Sequence, residues 1–158
     1  MSNSTDESFS DKSFEPVTAG GGVVYRINGL KPEVVLIHRK GHWDIPKGKL
    51  DQGESIKECA VREVGEEINV TPQIEGGLGQ TVHSYEQDGK RFRKTTYWYA
   101  MTAEDTDQME PETREQIEYA GWFPVPVALE KVEFDNLKSV LRRFEKWLAE
   151  TDRKSKND

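Results

Sequence analysis

Residues 48–70 read GKLDQGESIKECAVREVGEEINV, a glycine-bearing polar loop that runs into an amphipathic segment. Ile56, Ala60, Val64 and Ile68 recur every four residues, with Val61 beside them, the spacing of a helix with one apolar face. The pattern predicts a helix from about Glu54 or Ser55 to Ile68. Asn69 follows its last turn, where a residue tolerant of left-handed backbone belongs. Glu63, Glu66 and Glu67 stand at i, i+3 and i+4, so their carboxylates share one patch of the helix. Two such charges ~6 Å apart repel by up to roughly 3 kcal/mol at an effective dielectric near 20. The opposite face is apolar and must pack, which holds the patch in place. A hard divalent cation bound through oxygen relieves that repulsion. Gly65 lies among the three glutamates, although glycine in mid-helix costs ~1 kcal/mol relative to alanine; it leaves room for something to approach. A merely solvated acidic face has the same local look, so the surrounding residues have to decide.

Those residues are Gly48, Glu54, Arg62-Glu63, Val64, Glu66-Glu67 and Val70. Their spacing is G-x5-E-x7-R-E-U-x-E-E-x-G-U, with U aliphatic. This resembles the Nudix box, the signature of the Nudix hydrolase family, over all 23 positions. One position departs: Asn69 stands where the family usually has glycine. Asparagine is the best non-glycine occupant of a left-handed position, so no loss of activity is expected from it. The resemblance implies an α/β fold, an α/β/α sandwich with a central mixed sheet. It implies a loop–helix–loop that binds Mg²⁺ or Mn²⁺ and hydrolysis of a nucleoside diphosphate linked to another group. Carried over residue by residue, it implies metal ligation by Glu63, Glu66, Glu67 and the Gly48 carbonyl, and catalytic roles for Glu63, Arg62 and Glu66. Glu54 and Asn69 are structural members of the motif. Arg62 orients a glutamate, with Glu58 one turn back and Glu54 two turns back as partners. The general base stays open among Glu63, Glu115 and Glu118.

The flanking word from Trp43 to Glu54, WDIPKGKLDQGE, looks like the W-x-x-P-K-G-K/H segment of diadenosine polyphosphate hydrolases, and is also similar to MutT-type hydrolases of oxidised nucleoside triphosphates. Lys47 and Lys49 suit the outer phosphates of either substrate. Lys94 is expected to face the site, with Arg91 and Arg93 either adding charge or forming a solvated hairpin tip. Strand alternation sets Trp98 against its neighbours: Trp98 is expected in the core and Tyr97 or Tyr99 on the substrate side. Tyr85, Trp43 and Trp122 are further candidates for a base-stacking plate. His42 and His83 either touch the substrate or are structural. Cys59 reads as a packing residue. No phosphate-loop, nucleophile-elbow or H-E-x-x-H motif is present.

The remaining chain is compatible with one domain. At 158 residues it can bury roughly two-thirds of its unfolded surface without disulfide staples. Only 34% of residues are hydrophobic, but four Trp, five Tyr and six Phe argue against wholesale disorder. The net charge of −7 disfavours nucleic acid polymers and anionic membranes as partners. It leaves room for a phosphorylated substrate, because a bound cation reverses the local sign. The single cysteine rules out a disulfide framework, and no apolar run approaches the ~18 residues of a membrane span. A cytoplasmic protein, monomer or homodimer, is expected. Residues 1–14 are expected to be a disordered polar arm, 15–150 the domain and 151–158 a frayed polar tail. Val17–Arg26 reads as a strand opened by Gly20-Gly21-Gly22, Val34–Ile37 as a strand covered on both faces, and Gln80–Tyr85, Arg91–Met101 and Ile117–Val125 as further strands. Residues 103–116 read as an acidic loop, and helices are expected near Pro126–Lys131 and over Asn136–Ala149. The first-choice substrate is a dinucleoside polyphosphate such as diadenosine tetraphosphate; an oxidised purine nucleoside triphosphate is the alternative. A non-catalytic Nudix-fold nucleotide-binding regulator is the contrasting class.

Overall fold

A computed structural model describes residues 13–157; most of the predicted N-terminal arm therefore lies outside the described residues. The elements are β1 (Phe14–Asn28), β2 (Lys31–Arg39), β3 (His42–Asp44), β4 (Lys47–Lys49), α1 (Ile56–Ile68), β5 (Pro72–Gln87), β6 (Lys90–Ala103), β7 (Ile117–Pro124), α2 (Val125–Lys131) and α3 (Asp135–Asn157). The seven strands form one sheet in the order β3-β2-β1-β6-β5, with β4 paired to β1 and β7 to β2. β1 runs parallel to β6 and antiparallel to β2 and β4, so the sheet is mixed.

Alternation in the strands builds a core on each face. Val23, Val34, Leu36 and Ala100 point to one side, where α2 and α3 contribute Ala128, Val140, Leu141 and Phe144. Val24, Val35, Ile37 and Met101 point to the other, against Ala60, Val64 and Ile68 of α1. Two helical layers sandwich the sheet, as expected. Val34–Ile37 is fully buried, the doubly covered strand that its unbroken apolar run predicts.

Three expectations change. The Gly20–Gly22 run sits in the middle of β1, not at its start. A Cβ on Gly20 would lie 2.8 Å from the backbone nitrogen of Ala60, so this glycine lets α1 press directly onto the sheet. β5 is far longer than Gln80–Tyr85 and absorbs its glycines in two irregularities, at Ile74/Gly76 and Gly77/Gln80. The last helix does not stop at Ala149 but runs to Asn157. From Asp135 to Asn157 there is no Gly or Pro to break it, and its charged, exposed residues are good helix formers.

α1 begins one residue later than Ser55. That serine is the N-cap in a reciprocal capping box: Glu58 N donates to Ser55 Oγ at 3.1 Å and Ser55 N to Glu58 Oε1 at 2.9 Å. Asn69 ends the helix at φ 56°, ψ 49°, the left-handed turn that its place in the sequence predicts. Its side-chain amide donates to Glu110 O at 2.9 Å. The acidic loop 103–116 folds back over this end. Glu110 N and Glu112 N each donate at 3.0 Å to the free carbonyls of Ile68 and Glu67. Gly65 takes its place here as well: a Cβ there would meet Val70 O at 3.0 Å, so what approaches is the chain's own return.

Candidate active site

The glutamates of α1 face the strand-like loop β4. A Cβ on Gly48 would overlap the Glu63 carboxylate, so the side chain of Glu63 occupies the volume that glycine vacates. The Gly48 carbonyl is edged by the Cys59 thiol, which donates to it at 3.5 Å. Burial pushes that thiol up to about 11, in keeping with a packing role. Carboxylate oxygens of Glu63, Glu66 and Glu115 lie within 4.8 Å of one another. Glu115 reaches the cluster because its loop is tied to the carbonyls of α1. Burial, with Glu115 and Glu66 nearby, raises the Glu63 carboxyl to about 7 even though Arg62 opposes the shift.

Arg62 is fixed on all sides. It donates to both Glu54 oxygens at 2.6 and 2.9 Å, to Glu63 at 3.0 Å, to Glu66 at 3.3 Å and to the carbonyl of Lys49 at 3.0 Å. Its expected alternative partner, Glu58, is engaged in the capping box instead. The Arg62 hydrogen bonds and the Asp51 amide pull Glu54 down to about 2. Glu67 is separate from this group. It is only 1% exposed; one oxygen accepts Lys47 N–H at 3.0 Å and the other is clasped by Arg39. Burial pushes Glu67 up to about 8 against the pull of Arg39 and Lys47.

Beside this acidic centre is a cavity of about 500 Å³ between the β5–β6 hairpin and the start of α3, lined by Asp44, Lys47, His83, Lys94, Trp98 and Phe134 among others. Lys47 belongs to both regions: its backbone holds Glu67, while its ammonium pairs with Asp44 at 2.5 Å on the cavity wall. The Lys94 ammonium is depressed by burial and by Lys47 and Lys49. Two ammonium groups, Lys47 and Lys94, and two carboxylates, Asp44 and Asp135, thus line the cavity. His83 stacks at 5.5 Å on Tyr85, whose ring lies 5.6 Å from the Lys94 ammonium.

The sequence-derived residues separate accordingly. Lys47 and Lys94 line the cavity; Lys49 is exposed beside it and offers its carbonyl to Arg62. Tyr99 is not in the cavity. It packs against the α1-side core, because residues 94, 96 and 98 of β6 share one face and 97 and 99 the other. Lys94 and Tyr99 therefore cannot both line this cavity. Trp98 is buried as expected, with Nε1–H donating to Thr81 Oγ1 at 2.9 Å, and it forms part of the cavity wall. Of the later acids, Glu115 joins the cluster, whereas Glu118 bonds His38 at 2.7 Å. Arg39, Asp44 and Phe134 escaped the sequence reading: none belongs to a spaced motif, and each arrives through strand pairing or the α2–α3 connection.

Comparison with known proteins agrees with this geometry. The NUDIX domain family matches residues 18–148. The 8-oxo-(d)GTP phosphatase of Mycolicibacterium smegmatis is 31% identical over 152 residues, 89% of this chain, but this chain spans only 45% of that protein's length. The asymmetrical bis(5'-nucleosyl)-tetraphosphatase of Caenorhabditis elegans is 31% identical over 140 residues, 84% of this chain and 97% of that one. The binary-complex crystal structure of the C. elegans Ap4A hydrolase superposes with a TM-score of 0.67 at 27% identity, covering 84% of this chain and 98% of that one. With the helix, its glutamates and the glycine facing them arranged as the motif requires, the chain belongs to the Nudix family.

Proposed function

We propose that the protein is a divalent-metal-dependent pyrophosphohydrolase that cleaves dinucleoside polyphosphates, diadenosine tetraphosphate being the type substrate. The observation that carries this reading is the junction at Lys47, where the acidic centre abuts an aromatic-walled cavity that presents the ammonium groups of Lys47 and Lys94. A multiply phosphorylated nucleotide needs both: oxygen ligands for cations at the scissile phosphate and ammonium groups for the rest of the chain.

The acidic centre fits a hard cation. Its donors are carboxylate oxygens within 4.8 Å of one another, and a side chain at Gly48 would fill the same space. Glu63, Glu66 and Glu67, the Gly48 carbonyl and Glu115 would hold Mg²⁺ or Mn²⁺. Bound there, such an ion supplies charge neutralisation for the phosphates and a lowered pKa for an attacking water. Arg62 keeps Glu54, Glu63 and Glu66 in register. Lys47 and Lys94 bind the outer phosphates, and His83, Trp98 and Phe134 offer surfaces to a base. The C. elegans relative, matched over 97% of its length, favours the dinucleotide. The M. smegmatis relative, matched over 89% of this chain, supports a second reading, cleavage of oxidised purine nucleoside triphosphates. The intact set of glutamates argues against a purely nucleotide-binding regulator.

The test is product release with Mg²⁺ and with Mn²⁺ from diadenosine tetraphosphate, 8-oxo-dGTP, dGTP, ADP-ribose and a diphosphoinositol phosphate. Dinucleotide cleavage should dominate, and Glu63→Gln should lower kcat by about 10²–10⁴-fold. Preference for 8-oxo-dGTP would move the substrate and keep the site. Silence across the panel without metal binding would leave the regulator.

A further inference from the structure

We propose that Arg39 is a built-in counter-cation for the acidic centre: its guanidinium holds Glu67 while no metal is bound, and a divalent ion has to displace it to claim that carboxylate. The inference rests on the metal site proposed above.

Arg39 is the last residue of β2, and the pairing of β2 with β3 and β7 carries its side chain to the C-terminal end of α1. One guanidinium nitrogen, Nη2, contacts Glu67 Oε2 and lies 3.5 Å from Glu115 Oε2. That nitrogen therefore bridges the buried carboxylate and the Glu63–Glu66–Glu115 cluster, as a shared cation would. The second Glu67 oxygen is occupied by the Lys47 amide, so Oε2 is where an ion and Arg39 meet in competition. Both are positive, and burial strengthens their mutual repulsion. Arg62 differs in kind. Its guanidinium bonds three glutamates and a backbone carbonyl, the satisfaction of a permanent strut. Arg39 Nε–H, by contrast, is enclosed with no acceptor. The bonding of Arg39 is incomplete, which suits a partner that is exchanged. A charge at this place also keeps Glu67 usable: Arg39 is the cation in direct contact with a carboxylate that is 1% exposed.

The experiment combines Mn²⁺ titration, followed by the EPR signal of free Mn²⁺, with thermal unfolding in chelator and in saturating Mn²⁺. The proteins are wild type, Arg39→Met, Arg39→Lys and the double variant Arg39→Met/Glu67→Gln. Arg39→Met should bind Mn²⁺ at least fivefold more tightly than wild type. Its Tm in chelator should fall by about 5 °C or more and recover in Mn²⁺, so that its metal-induced gain exceeds that of wild type. The double variant should regain Tm in chelator and lose the added affinity. Arg39→Lys, which keeps the charge but not the fork, should show a smaller tightening, and it decides the matter if Arg39→Met fails to fold. Unchanged or weaker Mn²⁺ binding in the folded Arg39 variants, with wild type binding normally, overturns the proposal. Absence of Mn²⁺ binding in wild type and variants alike removes the metal reading itself and the proposal with it.

Discussion

Each end of α1 has a glutamate held by an arginine, and the two glutamates respond in opposite directions. At the N-terminal end Glu54 accepts two hydrogen bonds from Arg62 and one from the Asp51 amide, and sits near 2. At the C-terminal end Glu67 accepts from Arg39 and from the Lys47 amide, and is pushed up to about 8. The partners are alike in type; the surroundings are not. The Glu54 side chain is 13% exposed and that of Glu67 1%, and desolvation of the carboxylate outweighs what one guanidinium returns. One end of the helix is thereby a finished ion pair that braces the motif. The other stores a carboxylate short of positive charge, the condition that makes a divalent ion welcome.

A pH series breaks this comparison most strongly if it is mistaken. Glu63 and Glu67 have folded-state values near 7 and 8, above the ordinary 4.5. Their contribution to stability is complete below about 4.5 and is lost as pH rises through 7 and 8. In chelator, the unfolding free energy from urea titrations should decline on the order of a few kcal/mol between pH 5 and pH 8 from these groups. Saturating Mn²⁺ should flatten the decline. Glu54 works in the other direction: its contribution is present above 4.5 and lost as pH falls toward 2. A flat profile in chelator would mean that the two ends are not different after all.

Gly48→Ala sharpens the contrast at the cluster itself. The new Cβ needs the space that the Glu63 carboxylate fills, so Glu63 must leave while Arg62 and Glu54 remain joined. Steady-state turnover should fall at least tenfold, about 1.4 kcal/mol in the barrier, with a smaller change in the urea midpoint. The mildest change is Asn69→Gly. It relieves a non-glycine residue at φ 56° and gives up one hydrogen bond to Glu110. Those effects oppose each other, and stability should stay within about 1 kcal/mol of wild type.

The Lys94–Tyr99 pair shows what strand alternation leaves undecided. Both residues were reasonable substrate contacts taken singly, yet they stand an odd number of positions apart on one strand, and only one of them can face the cavity. Alternation was legible; which face would carry the cavity was not, since that depends on α3 arriving over Trp98. The arginine pairing was half legible for a related reason. Helix spacing offered Glu58 to Arg62, but the capping box had already taken it, so Glu54 outside the helix became the partner. Glu115 could be suspected as an acid near the site, but its place in the cluster depends on a loop fastened to the last carbonyls of α1.

The amino-acid sequence by itself determined α1, its two ends and the shared patch of Glu63 and Glu66, because these follow from interactions within a few residues of one another; Glu67, expected in that patch, is held apart by Arg39 and Lys47. It also determined the alternation that divides the core between two faces of the sheet. Only the tertiary structure decided that Arg39, 28 residues away in the chain, would stand at Glu67, that Glu115 would close the cluster, and that Lys47 would join it to the cavity. The physical reason is burial. How far a carboxylate loses its water, and which distant charge answers it, is set by the packing of a sheet and three helices, and no local spacing encodes that.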